Sequence, residues 1–177
     1  MSIPEFLGLE KKTASTAETE TVRKIVEALD RLEPARARYI ASFAYLLSRV
    51  ARADLSISVE ETAVMERLLA EEAGLTEEQA ILVVQMAKTQ SLLFGGTENF
   101  LVTREFSQMA SREQKMALLH CLFRVSSSDQ SVSTAEDQEI RQMASELRLD
   151  HKDFIEVRAR YRDHLAVLRN LPGAPGS

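Results

Sequence analysis

Apolar residues recur every three or four positions along most of the chain, and no segment shows the strict alternation of a half-buried strand. The spacing predicts a first helix over roughly 18–33, with Val22, Ile25, Val26 and Leu29 on one face; Pro34 ends it or opens the next. A second helix is predicted over about 35–53. Ile40, Phe43, Ala44, Leu47 and Val50 form its stripe, and Tyr45 and Leu46 widen it, so it should be central. Ser58-Val59-Glu60-Glu61 reads as a capping box opening a third helix, and Gly74 suits its stop. A second box, Thr76 to Gln79, opens a fourth helix through about Thr89. Gly95-Gly96 should break the chain, and a fifth helix follows over about 97–109. Ser111 to Gln114 opens a sixth helix, whose Met116, Leu118, Leu119, Leu122, Phe123 and Val125 point several ways; it should pack centrally on the second. Ser133 and Asp150 cap a seventh and an eighth, the last carrying Phe154, Val157, Tyr161, Leu165 and Leu168.

The expected architecture is therefore all-α. It is a single-domain helical bundle of about seven to eight helices over 18–170, flanked by flexible tails at 1–17 and 171–177. The first tail holds a short apolar cluster, Ile3 to Leu9, which suits loose packing on the domain, a docking peptide or a weak membrane contact.

One motif occurs twice, 75 residues apart. The first copy is Arg49-Val50-x-x-x-Asp54-x-Ser56-Ile57-Ser58-x-x-Glu61, and the second is Arg124-Val125-x-x-x-Asp129-x-Ser131-Val132-Ser133-x-x-Glu136. Six of the thirteen positions are identical. Each copy follows a central helix and precedes a capped one, so two pseudo-repeated halves are expected to share one core.

Charge excludes one class of function. With 27 acidic and 22 basic side chains the net charge is −5, which does not suit a general nucleic-acid binder. The single Cys121 excludes an intramolecular disulfide and a cysteine metal cluster. No apolar run is long enough to span a bilayer, and the first residues lack the pattern of a signal peptide. A cytoplasmic location is expected, with at most peripheral membrane association.

Candidate chemistry sits in the two acidic loops. Asp54, Glu61, Asp129 and Glu136, with the neighbouring serines, are oxygen donors suited to Ca, Mg or Mn ions. The loops are not EF-hands, because Val59 and Met65, or Thr134 and Ile140, stand where such a loop needs Gly and Glu. The same residues also have local work: the serines and glutamates cap helices, and the aspartates can form Asx turns. His120, His151 and His164 fall in no di-metal or nucleophile pattern, and His120 takes the repeat position of Tyr45. No phosphate-binding loop, zinc-helix motif or serine nucleophile elbow is present, so no enzymatic activity is expected.

Asp54-Leu55-Ser56-Ile57-Ser58-Val59-Glu60-Glu61 resembles the hallmark of the TerB-like domain of tellurite-resistance proteins, roughly Ala-Asp-Gly-x-Ile-x-x-x-Glu after a central helix. The second loop, Asp129 to Glu136, matches it again, and the resemblance covers about residues 35–165. A related domain occurs in membrane-anchored DnaJ-like co-chaperones. The resemblance implies an all-α fold with pseudo-twofold halves and a divalent-ion site, carried here to Asp54, Glu61, Asp129 and Glu136. Leu55 and Gln130 replace the hallmark glycine. The function expected is a non-enzymatic cytosolic interaction module of tellurite or general stress response, with a protein partner. The alternative is a divalent-metal sensor or carrier using the two loops and Ca, Mn, Mg or Zn.

Overall fold

The computed structural model describes residues 20–166. The expected tails at 1–17 and 171–177 lie outside the described residues, as does Leu168. Among the described residues there are seven α-helices: α1 (Glu20–Ala28), α2 (Pro34–Ala51), α3 (Val59–Ala73), α4 (Glu77–Met109), α5 (Arg112–Ser126), α6 (Thr134–Glu146) and α7 (His151–Ala159). A 3-10 turn, Arg162–His164, follows. The only strand-like feature among the described residues is an isolated parallel bridge between Val132 and Leu165.

The starts of these helices are set locally. Ser58, Thr76, Ser111 and Ser133 each accept from the amide three residues on, and the side chain of that residue accepts from the cap amide in return. At α7 the Asp153 carboxylate accepts from the Asp150 amide at 3.1 Å, while the Asp153 amide donates to the Asp150 backbone carbonyl at 2.9 Å. Helix α3 stops at Gly74, in the left-handed region with φ 64°. A Cβ there would also come within 3.1 Å of the Arg36 guanidinium, which donates to the Ala73 carbonyl at 2.6 Å.

Helix α2 is the axis of the molecule. Every residue from Ile40 to Ala51 is buried, and α1, α3, α4, α5 and α6 all pack on it. Helix α5 touches α2, α3, α6 and α7 and buries Leu118, Leu119, Leu122, Phe123 and Val125. Both helices expected at the centre are there, packed together, because neither has a polar face wide enough to meet water.

Three expectations need correction. Helix α1 ends at Ala28, short of 33, and a turn over 29–31 leads to α2. The chain does not break at Gly95-Gly96; α4 is one helix of 33 residues. Each glycine costs a helix about 1 kcal/mol relative to alanine. That cost is outweighed by packing of α4 along α2, where Tyr45 Oη donates to Asn99 Oδ1 at 2.8 Å. The last helix also closes at Ala159, and Leu165 is buried in the bridge to Val132, not on a helix face.

A buried arginine ties the two halves. Arg49, at the end of α2, has a side chain only 2% exposed. Its guanidinium donates to Glu146 and to Thr103 Oγ1, both at 2.6 Å, and to Glu139 at 2.5 Å. With these acceptors the buried charge is matched, and losing both carboxylates would leave it uncompensated in the interior. The equivalent pair of the second motif, Arg124 with Glu71 at 3.9 Å, lies at the surface and contributes little.

Gly96 lies on the solvent side of α4, and a Cβ there would meet nothing within 4 Å. Gly96→Ala should therefore raise stability by about 0.5–1 kcal/mol, because the native helix accepts the methyl group and the unfolded chain loses freedom. The check is the urea midpoint; an unchanged or lowered midpoint would mean that α4 needs its glycine as a hinge.

Candidate functional site

The two acidic loops fold alike, bond for bond. Each central helix ends with a turn in the right-handed region, at Arg52 (φ −87°, ψ −3°) and at Ser127 (φ −87°, ψ 0°). The amide of Leu55 then donates to the Arg52 carbonyl at 2.8 Å, and that of Gln130 to the Ser127 carbonyl at 3.0 Å. Asp54 Oδ1 accepts from the Ser56 amide at 3.3 Å, and Asp129 Oδ1 from the Ser131 amide at 3.2 Å. These are Asx turns, which hold each aspartate at the exposed tip of its loop.

Leu55 and Gln130 stand at positive φ, 73° and 70°. The hallmark glycine position thus keeps its left-handed backbone although both residues carry a Cβ. That conformation costs a non-glycine residue about 1–2 kcal/mol, and the aspartate turn beside it supplies the compensation. The side chain of Leu55 is left almost wholly in water.

The glutamates that close the two capping boxes point inward. Glu61 Oε2 accepts from the Ser58 amide at 2.7 Å, and Glu136 Oε2 from the Ser133 amide at 2.8 Å. Both residues are buried, at 4% and 2% exposure, and their carboxyl groups hydrogen-bond to each other. One of them must therefore carry a proton. Burial raises the pKa of Glu61, and the nearby charge of Asp54 adds to it. Burial, with the negative neighbour Glu61, pushes Glu136 up to about 8. Both carboxyl groups are therefore held above the usual carboxylate range, and the two titrate as a unit.

A carboxyl group is not needed for capping alone. The boxes at Thr76 and Ser111 use Gln79 and Gln114, whose amide oxygens accept from the cap amides at 3.0 and 2.8 Å. Glutamate stands only in the two boxes of the repeated loops, where the two side chains meet.

Of the four residues singled out in the sequence, Glu61 and Glu136 come together, while Asp54 and Asp129 bond their own loops. Among the described residues no group of three or more His, Cys, Asp or Glu side chains is placed to hold a metal ion. The donor set at the junction is thus two carboxyl groups with the capping hydroxyls of Ser58 and Ser133 beside them. The sequence pointed to these residues but not to their mutual contact. It also left Arg49 without a role, although its recurrence as Arg124 was a usable signal.

Two further titratable groups lie in or beside the core. Cys121 is buried and its thiol is pushed up to about 12 by burial, so it is held unreactive. Burial lowers the pKa of His120, which lies at the edge of the core as its repeat position suggested.

The model of the family Tellurite resistance protein TerB matches residues 40–159 of the chain. That stretch is most of the sequence and contains both loops, the central helices and Arg49. The chain belongs to the TerB family. No curated protein and no solved structure matches it. No helix among the described residues is long and apolar enough to cross a membrane.

The glutamate pair makes stability depend on pH. A carboxyl group whose folded pKa is raised binds its proton more tightly in the native state. Its stabilising contribution is complete below the ordinary carboxylate range and is lost as pH rises through the folded value, here about 8. Stability should fall between pH about 5 and 8, with a slope of at most about 1.4 kcal/mol per pH unit for one proton. Glu136→Gln keeps the cap, as Gln79 and Gln114 do, and should flatten that decline. Urea midpoints at the two ends of the window decide it; an equal drop in both proteins would place the titrating group elsewhere.

Proposed function

We propose that this chain is a non-enzymatic interaction module of the tellurite or general stress response, acting in the cytoplasm by binding a protein partner through α4. The observation that carries this reading is an apolar stripe on the outer face of that helix. Leu82, Leu93 and Phe100 are 48%, 63% and 54% exposed. They lie eleven and eighteen residues apart from Leu82, about three and five helical turns, and so fall on one line. Ile81, Leu92 and Leu101 flank it and are exposed too. Between Lys88 and Arg104 the only charged residue is Glu98. Isolated exposed leucines are ordinary, but a continuous uncharged stripe is a feature of surfaces that bind something. Burying one such side chain in an interface is worth about 1.5–3 kcal/mol.

The double variant Leu93→Glu/Phe100→Glu should keep the melting temperature and abolish capture of the partner from a native lysate. A partner retained by the variant at wild-type yield would remove α4 as the binding surface.

A second reading, a divalent-cation sensor, is favoured by the Glu61–Glu136 contact. A cation entering there would displace the shared proton, so affinity should rise with pH toward about 8. Two carboxyl groups supply few of the six or more oxygens that calcium takes, so binding would be weak. Calorimetric titration with Ca²⁺, Mn²⁺, Mg²⁺ and Zn²⁺ tests it on the native protein, on Glu61→Gln/Glu136→Gln and on Asp54→Asn/Asp129→Asn. Heat that survives the glutamine pair refutes a site at the junction. Heat lost in both variants would restore the aspartates as ligands.

A further inference from the structure

The two loops differ in one respect. Val132 is gripped by the chain that returns after the 3-10 turn, with Leu165 extended: its amide donates to the His164 carbonyl at 2.7 Å, and its carbonyl accepts from the Ala166 amide at 3.0 Å. Leu165, between these two, is 1% exposed, and Val132 is covered to the same degree. Ile57 occupies the same place in the first loop, between the same Asx turn and the same capping box. Its amide and carbonyl have no hydrogen-bond partner among the described residues, and it is only half-buried.

The difference has a cause in the chain path. After α7 the chain turns at Arg162–His164 and comes back to Val132. After α3 and its turn, α4 runs straight on for 33 residues, so no following segment returns to Ile57. A groove of about 300 Å³ remains beside it, lined by Ile57, Ser58, Val59, Thr62, Glu66 and Lys88 among others. Val59 on its wall is 82% exposed. The Lys88 ammonium donates to Thr62 Oγ1 at 3.1 Å and has no carboxylate partner among the described residues.

We infer that the groove beside Ile57 is a receptor for an extended peptide of a partner protein. The peptide places a leucine-sized aliphatic residue in the groove, bonds the Ile57 amide and carbonyl through its own backbone, and offers a carboxylate to Lys88. The second loop shows what such an occupant looks like, because residues 164–166 fill the equivalent position in this chain. Backbone bonds of this kind give affinity without sequence, and the side-chain pocket gives selectivity. The inference deepens the interaction-module reading but uses a surface separate from the α4 stripe, so either can fail alone.

The probe is a capped synthetic peptide of residues 161–166, Tyr-Arg-Asp-His-Leu-Ala, added to the full chain at up to millimolar concentration. In the free protein the Ile57 amide should exchange with solvent much faster than the Val132 amide. Peptide should slow exchange at Ile57 and shift the resonances of Ile57, Val59 and Lys88. Replacing the leucine of the peptide by alanine, or Ile57→Asp in the protein, should weaken binding about tenfold or more. Lys88→Ala should weaken it about two- to fivefold, with the melting temperature kept. No perturbation at millimolar peptide overturns the proposal. So do perturbations confined to Val132 or to the Leu93–Phe100 face. Protection of Ile57 that grows with protein concentration in the absence of peptide also overturns it, in favour of a second copy as the occupant.

Discussion

The rest of the molecule is arranged around two carboxyl groups that cannot both be charged. Glu61 and Glu136 are each required locally, because each satisfies the amide of its own N-cap serine. Packing α3 and α6 against the central helices drives both side chains into one buried junction. In a low-dielectric interior two neighbouring carboxylates repel, so ionising both of them costs stability. Local capping and global packing thus conflict unless one of the two carboxyl groups is kept neutral. The conflict is avoidable, since glutamine caps two other helices of this chain without a charge.

Arg49 shows the opposite solution. It is as buried as the glutamates, yet its charge is met by Glu139 and Glu146 and by a hydroxyl. Attraction to these carboxylates, above all the hydrogen bond that Arg49 donates to Glu146, holds its pKa up against desolvation. The pair joins the end of α2 to α6, and therefore one repeated half to the other. Such a pair adds less to stability than an apolar filling of the same volume could, but it fixes which residues face each other. The register that places Glu61 against Glu136 depends on that alignment.

The sequence disclosed what is decided within a few residues. Capping boxes at Ser58, Thr76, Ser111 and Ser133, the Gly74 stop and the two Asx turns involve neighbours in the chain, and each was readable from residue type and spacing. The all-α class and the two central helices followed from apolar circumference alone. Long-range decisions were not readable. Gly95-Gly96 looks like a break because glycine weakens any isolated helix, and only the packing of α4 on α2 shows that it is not. The meeting of Glu61 with Glu136 depends on the angle between two helices far apart in sequence, which no local pattern encodes. The sequence also could not show that Leu55 and Gln130, standing at the hallmark glycine position, adopt a left-handed backbone without glycine's freedom.

That single undivided helix also explains why similar loops have dissimilar surroundings. Had α4 ended near Thr89, the following chain could have folded back as it does after α7, covering Ile57 as Leu165 covers Val132. The residues from Leu92 to Leu101 would then have been free to turn inward. Because the helix continues, its outer face keeps those leucines and Phe100 in water, and the first loop keeps an open edge. The exposed stripe and the uncovered loop are therefore two consequences of one structural choice. Both lie in the first half of the repeat, while Val132, the equivalent of Ile57 in the second loop, is covered by the chain's own returning segment. Two loops that are nearly symmetric in their own bonds thus have asymmetric surroundings.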